Sequence, residues 1–484
     1  MKAISNPRWP DDPFAAALMP PPKETEGERV KRVQEQEEAA RISREIDEGL
    51  LETKKLIERR RKATKVLLLG QAESGKSTTL KNFQLSFCPS QFKQERTAWR
   101  SVIQLNLIKS VRRILQVIQD DWDHIGPAKP ISPIPGFSRQ SGSLVGPSSG
   151  PNSPKTGDKE DREPILTDAH RRLLMRLSPL VSMEENLVNK LFPHPPDPKE
   201  VSVRGGTNWK SYIAKLGKER DQKPIRPRSS QSSASQEEGT HILVTFKEDI
   251  IALWNDPAVH RVLKRRGCNI RDMSGFFLDD VRRIAVQNYE PSDQDIMKAR
   301  LKTVGVEEYH FVMETVSEGN GDWYIYDVGG SRNLRSQWAS FFDDVQAIIF
   351  LAPLTFNLNL EEDPTINRIE DSIMIWKAIC SNKLLERTAI ILFLNKMDVL
   401  ATALESGLRV KDYVISYGDS PNDVPSVTKY FREKFRTYHK KLSPKPRTFF
   451  WHETSVIDTD ATGAILFGVR EGILRYHLSK SDVI

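Results

Sequence analysis

The sequence predicts an α/β fold: a doubly wound sheet of strands alternating with helices, with a separate all-helical domain inserted after the first strand and a long N-terminal helix ahead of it. Three observations carry this. Short, solid apolar runs stand at 66–69, 310–313, 323–326, 347–351, 389–394 and 448–451, and helix-length segments such as 366–380 and 427–441 separate the later ones. The first run leads directly into Gly70-Gln71-Ala72-Glu73-Ser74-Gly75-Lys76-Ser77-Thr78, a glycine-rich turn between a strand and a helix. Between the first run and the second, about 240 residues contain no run of that kind and read as helices.

Taken in order, residues 1–22 hold six prolines and no periodicity and read as a disordered tail. Residues 23–62 change to Glu, Arg, Lys, Gln and Ala, good helix formers, with Ile42, Ile46, Leu50 and Ile57 on one narrow stripe. Such a stripe builds no core alone; it either packs on its own domain or docks on a partner. The α/β domain is expected over 63–92 and 299–484, and the helical domain over 93–298. Within the latter, 100–119 places Val102, Ile103, Leu107, Val111, Ile114, Leu115 and Ile118 at helical spacing; 173–192 and 244–268 also read as helices, and 279–287 as a shorter one stopped by Pro291. Residues 126–164 contain 8 Pro, 7 Ser and 6 Gly among 39, a composition that buries too little to order itself. Residues 193–239 are similar, with a short helix expected over 209–216.

Lys plus Arg total 72 and Asp plus Glu 65, so the 484 residues carry a net charge of only +7. That excess is thin for a nucleic-acid binder. No apolar run approaches the ~20 residues that span a bilayer, and the first residues lack the apolar stretch of a secretory signal. Three widely spaced cysteines, Cys88, Cys268 and Cys380, support neither a disulfide framework nor a thiolate zinc cage. A reducing, cytoplasmic setting is expected.

The motifs point to phosphate and then to a base. Backbone N–H groups of the Gly70–Thr78 turn, with Glu73, Ser74 and Gly75 in it, would cradle phosphate oxygens at a helix N-terminus. Lys76 would supply a charge to the β- and γ-phosphates and Ser77 a hydroxyl to magnesium. An ordinary glycine turn is the plainer alternative, but strand and helix flank this one as phosphate binding requires. Asn395-Lys396-Met397-Asp398 follows an apolar strand directly. A carboxylate there accepts from the N1–H and 2-amino group of guanine, donors that adenine lacks. The Asn395 amide can tie this loop to the phosphate loop, and the Lys396 stem can cover the ring. Four residues alone are equally well a surface loop; their place one strand from the end of the sheet favours the base. Asp327-Val328-Gly329-Gly330 closes another strand: Asp327 can hold magnesium through water, and Gly330 leaves room for its N–H to reach a γ-phosphate. Ahead of the second strand, Thr303 can be a second hydroxyl ligand, and Arg300 a charge placed against the γ-phosphate.

These motifs, in this order and around a helical insert, resemble the alpha subunit of heterotrimeric G proteins. Further likeness lies in Arg300-Leu-Lys-Thr-Val-Gly-Val-Glu-Glu, Asp327-Val-Gly-Gly-Ser-Arg with Trp338, Asn367-Arg-Ile-Glu-Asp-Ser and Ile390-Ile-Leu-Phe-Leu-Asn-Lys-Met-Asp. Thr454-Ser-Val-Ile-Asp-Thr looks like the family's second guanine loop, where the Val456 N–H would meet the base oxygen. Asp272, before Phe276-Phe-Leu-Asp-Asp, resembles the helical-domain residue that closes over the nucleotide. The resemblance implies a Ras-like P-loop GTPase domain with an inserted all-α domain, GTP/GDP and Mg2+ as ligands, and a beta/gamma dimer, a G-protein-coupled receptor and a downstream effector as partners.

The chain also departs from the family pattern. Lys2 stands where N-myristoylation needs glycine, and no cysteine precedes Cys88, so membrane contact at the inner face of the plasma membrane is expected only through partners or weak basic contacts such as Arg59-Arg60-Arg61-Lys62. Ser481 replaces a cysteine four residues from the end. Ala72 stands for the second loop glycine, and Ser331 for the glutamine that orients the attacking water. Slow hydrolysis is expected, with Arg300 and Ser331 as the catalytic positions. A GTP-loaded interaction module that barely hydrolyses is the alternative; a metabolic P-loop kinase or ATPase conflicts with Asn395–Asp398.

Overall fold

In a computed structural model of the chain, the described residues are 25–125, 166–191, 202–204, 233–314, 322–455 and 458–480. The expected tail (1–22), the 126–164 insert and the 209–216 helix lie outside them. The chain divides into two compact units, Met1–Ala63 and Thr64–Ile484.

In the first unit, helix α1 runs over Glu26–Lys62. Thr25 and Glu28 cap its start reciprocally, satisfying N–H groups that no helical carbonyl reaches. Acidic Glu26 and Glu28 at that end and Arg59 to Lys62 at the other complement the helix dipole. The striped residues Ile42, Ile46, Leu50 and Ile57 are all exposed.

In the second unit, six strands form one sheet: β1 Thr64–Leu69, β2 Val306–Val312, β3 Asp322–Val328, β4 Ala347–Pro353, β5 Ala389–Asn395 and β6 Phe450–Glu453, in the order β2-β3-β1-β4-β5-β6. All pairs are parallel except β2–β3. The solid apolar runs follow from burial on both faces. Leu67 and Leu69 of β1, Ile348 and Phe350 of β4, and Ile390 and Leu392 of β5 enter one core with Trp376, Phe431 and Phe435. Their neighbours Val66, Leu68, Ile349 and Ile391 enter the other, with Phe83, Phe87 and Leu466. The first core is closed by α8 (Arg368–Ser381) and α10 (Val424–Leu442), the second by α2 (Lys76–Phe87) and α11 (Thr459–Lys480). Each fully buried side chain of this size contributes ~1.5–3 kcal/mol.

A third core runs from Phe92 to Ala299 and is made almost wholly of helices. Its centre is α3, Arg96–Ile125, whose Val102, Ile103, Leu107, Val111, Ile114 and Ile118 are buried. Around it lie α4 (Asp168–Leu191), α5 (Ser233–Asn255), α6 (Pro257–Arg265) and α7 (Asp293–Lys298).

Several expectations need correction. The helix read over 244–268 is two helices, because Pro257 forces the residue before it out of helical geometry and Asp256 caps the new start through Ala258 N. Only Val281–Ile284 of 279–287 is α-helical, after a 3-10 turn over Leu278–Asp280. The 193–239 segment, expected to be disordered apart from a short helix over 209–216, contributes a strand, Ser202–Arg204, paired in parallel with Lys302–Val304, and α5 begins within it at Ser233. Three residues carry too little pattern to read as a strand; the partner's backbone groups supply what the side chains do not.

Candidate nucleotide-binding site

The site grows from the C-terminal end of β1. Gly70 has φ +145°, and a Cβ there would lie 2.6 Å from Leu351 O and 2.7 Å from Ser74 Oγ, so the turn admits only glycine. Glu73 (φ 59°) and Gly75 (φ 102°) curl the chain onto the N-terminus of α2, which Gly75 caps. The Lys76 ammonium donates to Gly70 O at 3.0 Å and Gln71 O at 2.8 Å, closing the loop on itself. Burial pulls the Lys76 pKa down to about 8 although Asp327 opposes the shift, which leaves a cation poorly compensated by the protein. The buried Ser74 hydroxyl has no hydrogen-bond partner among the described residues.

Beside this loop, the Ser77 hydroxyl donates to Asp327 Oδ2 at 2.5 Å, bringing together two positions read as the magnesium side. The Gly329-Gly330 turn lies against the loop backbone so closely that a Cβ on Gly330 would stand 2.4 Å from Gln71 C and 2.5 Å from Ala72 N. Arg335 holds the turn there, donating to Gly330 O at 3.2 Å and to both oxygens of Asp371 at 2.8 and 2.7 Å, and Trp338 Nε1 donates to Gly329 O at 3.1 Å. Ser331 faces the cleft, and its side chain caps nothing in the 3-10 turn that follows, Arg332–Phe341.

At the base end, buried Asn395 donates from Nδ2 to Ser74 O at 2.7 Å and accepts from Thr454 Oγ1 at 3.0 Å. One amide therefore ties the phosphate loop to both base-side loops. Lys396 (φ 62°) turns the chain into α9, Met397–Glu405, and burial lowers its pKa against the pull of nearby Glu73. Asp398 is exposed and accepts from Ser455 Oγ at 2.7 Å. Arg300 reaches Glu73, Nη1 to Oε1 at 2.6 Å.

Glu73, Ser74, Gly75, Lys76, Ser77, Thr78, Arg300, Asp327, Gly330, Ser331, Asn395, Lys396 and Asp398 all line one cleft of about 1040 Å³, the upper end of the usual range for ligand sites. Gly70 shapes the loop from behind the cleft. The 3-10 turn Ile270–Asp272 brings Arg271, Met273, Ser274 and Gly275 to its rim. The side chains of Thr303 and Asp272, and Val456 as a whole, lie outside the described residues. The residues present fit a nucleotide polyphosphate and a hard cation: a strained loop that leaves a hydroxyl unsatisfied, a buried ammonium, and a hydroxyl–carboxylate pair that oxygen-seeking Mg2+ favours.

Two contributors escaped the sequence reading. Gln71 Nε2 donates to Arg368 O at 2.9 Å and Ser372 Oγ at 2.8 Å, and Arg368 Nη2 donates to Glu73 Oε2 at 2.9 Å, so α8 buttresses the phosphate loop. The Asn367-Arg-Ile-Glu-Asp-Ser string was the available signal, with no role attached to it.

Fold and cleft define a P-loop nucleotide-binding protein with an inserted helical domain, and the family model described as G-protein alpha subunit matches residues 40–473. The chain belongs to that family. Among its relatives, the guanine nucleotide-binding protein alpha-4 subunit of Mycosarcoma maydis is 28% identical over 561 aligned residues, covering 98% of this chain and 96% of that one. Human guanine nucleotide-binding protein subunit alpha-13 is 26% identical over 445, covering 92% of each. The guanine nucleotide-binding protein subunit alpha of Candida albicans is 24% identical over 451, covering 88% and 91%. Members of the family are GTP-binding switches of heterotrimeric G-protein signalling: they bind GTP or GDP with Mg2+, hydrolyse GTP, and work with beta/gamma, receptor and effector partners. Among the described residues, no helix is long and apolar enough to cross a membrane.

Proposed function

We propose that this chain is a GTP-loaded switch whose active state is long-lived because its own hydrolysis is slow. The observation that carries the guanine reading is the Asn395 amide, which holds the Asp398 and Ser455 loops in one cleft with the phosphate loop. Asp398 would accept from the guanine edge, the Val456 N–H would meet the base oxygen, and Lys396 would cover the ring. Gly70 to Thr78 would cradle the phosphates, with Lys76 exchanging its carbonyl partners for phosphate oxygens. Ser77 and Thr303 would ligate Mg2+, with Asp327 holding it through water; the ion would draw charge from the β- and γ-oxygens. Asp272 would close over the nucleotide from the helical side.

The slow step follows from Ser331. A glutamine at this position reaches the attacking water with both a carbonyl and an amide; serine offers one shorter hydroxyl. Ala72 adds a methyl group where the Gln71–Ala72 backbone and Gly330 already stand in contact. Arg300 supplies the remaining charge stabilisation in cis.

In this reading the α/β domain comprises 63–92 and 299–484, and the helical domain 93–298. A beta/gamma-type dimer docks on the exposed stripe of α1 and supplies the contact with the inner face of the plasma membrane. A receptor exchanges the nucleotide and an effector reads the loaded form. Competition of GTP and ATP for the purified chain tests the base assignment: displacement by GTP alone supports it, and equal displacement contradicts it.

A further inference from the structure

Arg300 is held by its backbone as well as by its side chain. Asn106, nearly buried on α3 in the helical core, accepts from Arg300 N at 2.6 Å through Oδ1 and donates to Arg300 O at 2.9 Å through Nδ2. A single amide side chain thus satisfies both polar groups of one residue, as a neighbouring strand would, and fixes the peptide planes on either side of its Cα. The surroundings are shaped for this contact. Gly275 has φ +81°, and a Cβ there would stand 2.7 Å from Asn106 Oδ1 and 3.0 Å from Arg300 Cβ. Lys81 of α2 donates to Ile296 O at 2.9 Å and Ala299 O at 2.7 Å, pinning the peptides just ahead of Arg300. The segment 296–300 is therefore held both by the phosphate-loop helix and by the helical core.

We infer that Asn106 is a positioning residue for Arg300: the helical core sets where the guanidinium starts, and hence whether it reaches the transferring phosphate when it leaves Glu73. The inference rests on the proposed role of Arg300 in hydrolysis. A long, flexible side chain delivers charge accurately only from a fixed base, and displacements of ~1 Å at a reacting centre cost up to ~100-fold in rate. Lys81 and Glu73 restrain neighbouring peptides and the tip of the side chain; Asn106 alone, among the described residues, bonds the Arg300 backbone on both sides.

The test is single-turnover GTP hydrolysis by the full chain, with GTPγS affinity and melting temperature measured alongside, for Asn106→Ala, Asn106→Asp, Arg300→Ala, the Asn106→Ala/Arg300→Ala double variant and Gln104→Ala. Gln104 lies two residues away on α3, on a different face, and bonds Thr240 inside the helical core, so it reports loss of core stability alone. Asn106→Ala is expected to lower the rate ~10-fold with GTPγS affinity changed less than ~2-fold. Asn106→Asp keeps the acceptor for Arg300 N and loses the donor to Arg300 O, and should fall between wild type and Ala. In the Arg300→Ala background, Asn106→Ala should cost nothing more. Losses that multiply in the double variant, or a rate for Asn106→Ala matching Gln104→Ala at equal melting temperature, would overturn the inference. An unimpaired Arg300→Ala chain would remove the reading of Arg300 itself and this inference with it. A slowed Arg300→Ala beside a wild-type rate in Asn106→Ala would overturn the role of Asn106 only.

Discussion

Glu73 and Arg300 form an ion pair at 2.6 Å that joins the phosphate loop to the segment leading out of the helical core. The same carboxylate accepts from Arg368 of α8 at 2.9 Å and from Ser274 Oγ at 3.2 Å. Burial alone would raise its pKa, but the charges of Arg300, Arg368 and Lys396 together outweigh burial and hold it below the usual carboxylate range. Glu73 is thus an ionised bolt through four segments around the cleft.

Glu73→Gln should loosen that bolt without emptying the space it fills. Losing one charge-assisted contact is worth ~1.4 kcal/mol, so nucleotide release should accelerate ~10-fold. Stopped-flow chase of a fluorescent GDP analogue measures it directly; an unchanged release rate would show that the pair does not retain the nucleotide.

Asp398→Asn replaces a double acceptor by a mixed donor and acceptor. GTP affinity should fall by at least ~2 kcal/mol, while xanthosine triphosphate should bind better than to the wild type. Equal losses for both nucleotides in calorimetric titrations would mean that Asp398 supports the loop rather than reading the base.

Deleting 126–164 should leave melting temperature and GTP affinity unchanged within error. Its 21 Pro, Ser and Gly residues among 39 offer too little apolar surface to offset the entropy of ordering. A fall of several degrees would reveal a packed element in that stretch.

His439 makes stability pH-dependent in a defined window. It is buried beside Trp376 and Phe449; burial, with Arg447 near, lowers its pKa to about 4 from an ordinary 6.5. Between those values the unfolded chain binds more protons than the folded one. Stability should therefore fall as pH drops from 6.5 towards 4, by up to ~3 kcal/mol from this residue. Asp295, with Arg283 and other hydrogen-bond donors outweighing burial, titrates at about 2, so its own contribution is lost only below its unfolded value of 3.8. Melting curves at pH 7 and 4.5 should show a smaller shift for His439→Phe than for the wild type; equal shifts would place the sensitivity elsewhere.

The strands of the sheet interior were legible because burial on both faces leaves solid apolar runs, as in Ala389–Asn395. The edge strand Val306–Val312 was seen only from 310, since its alternate residues face solvent and break the run. The helix break at Asn255-Asp256-Pro257 was written in the residues, as a cap followed by proline, but the apolar periodicity on either side concealed it. Within the site, contiguous strings were readable: Gly70 to Thr78, Asp327 to Gly330, Asn395 to Asp398. Arg368 and Asn106 were not, because each acts across the fold. Asn106 meets Arg300 at a separation of 194 residues, and Arg368 meets Glu73 at 295. Nothing local distinguishes Asn106 from an ordinary polar residue on a helix, and the string around Arg368 carries no sign of what that residue bonds.

The most direct test of the central claim is the single-turnover rate of GTP hydrolysis, compared between the wild type and Ser331→Gln combined with Ala72→Gly. Alpha subunits with an arginine in cis turn over at ~10⁻² s⁻¹, and losing the water-orienting side chain should cost ~10-fold or more. The wild type should therefore hydrolyse at about 10⁻³ s⁻¹ or below, and the double variant should recover at least part of the difference. A wild-type rate near ~10⁻² s⁻¹ that the double variant leaves unchanged would contradict the account.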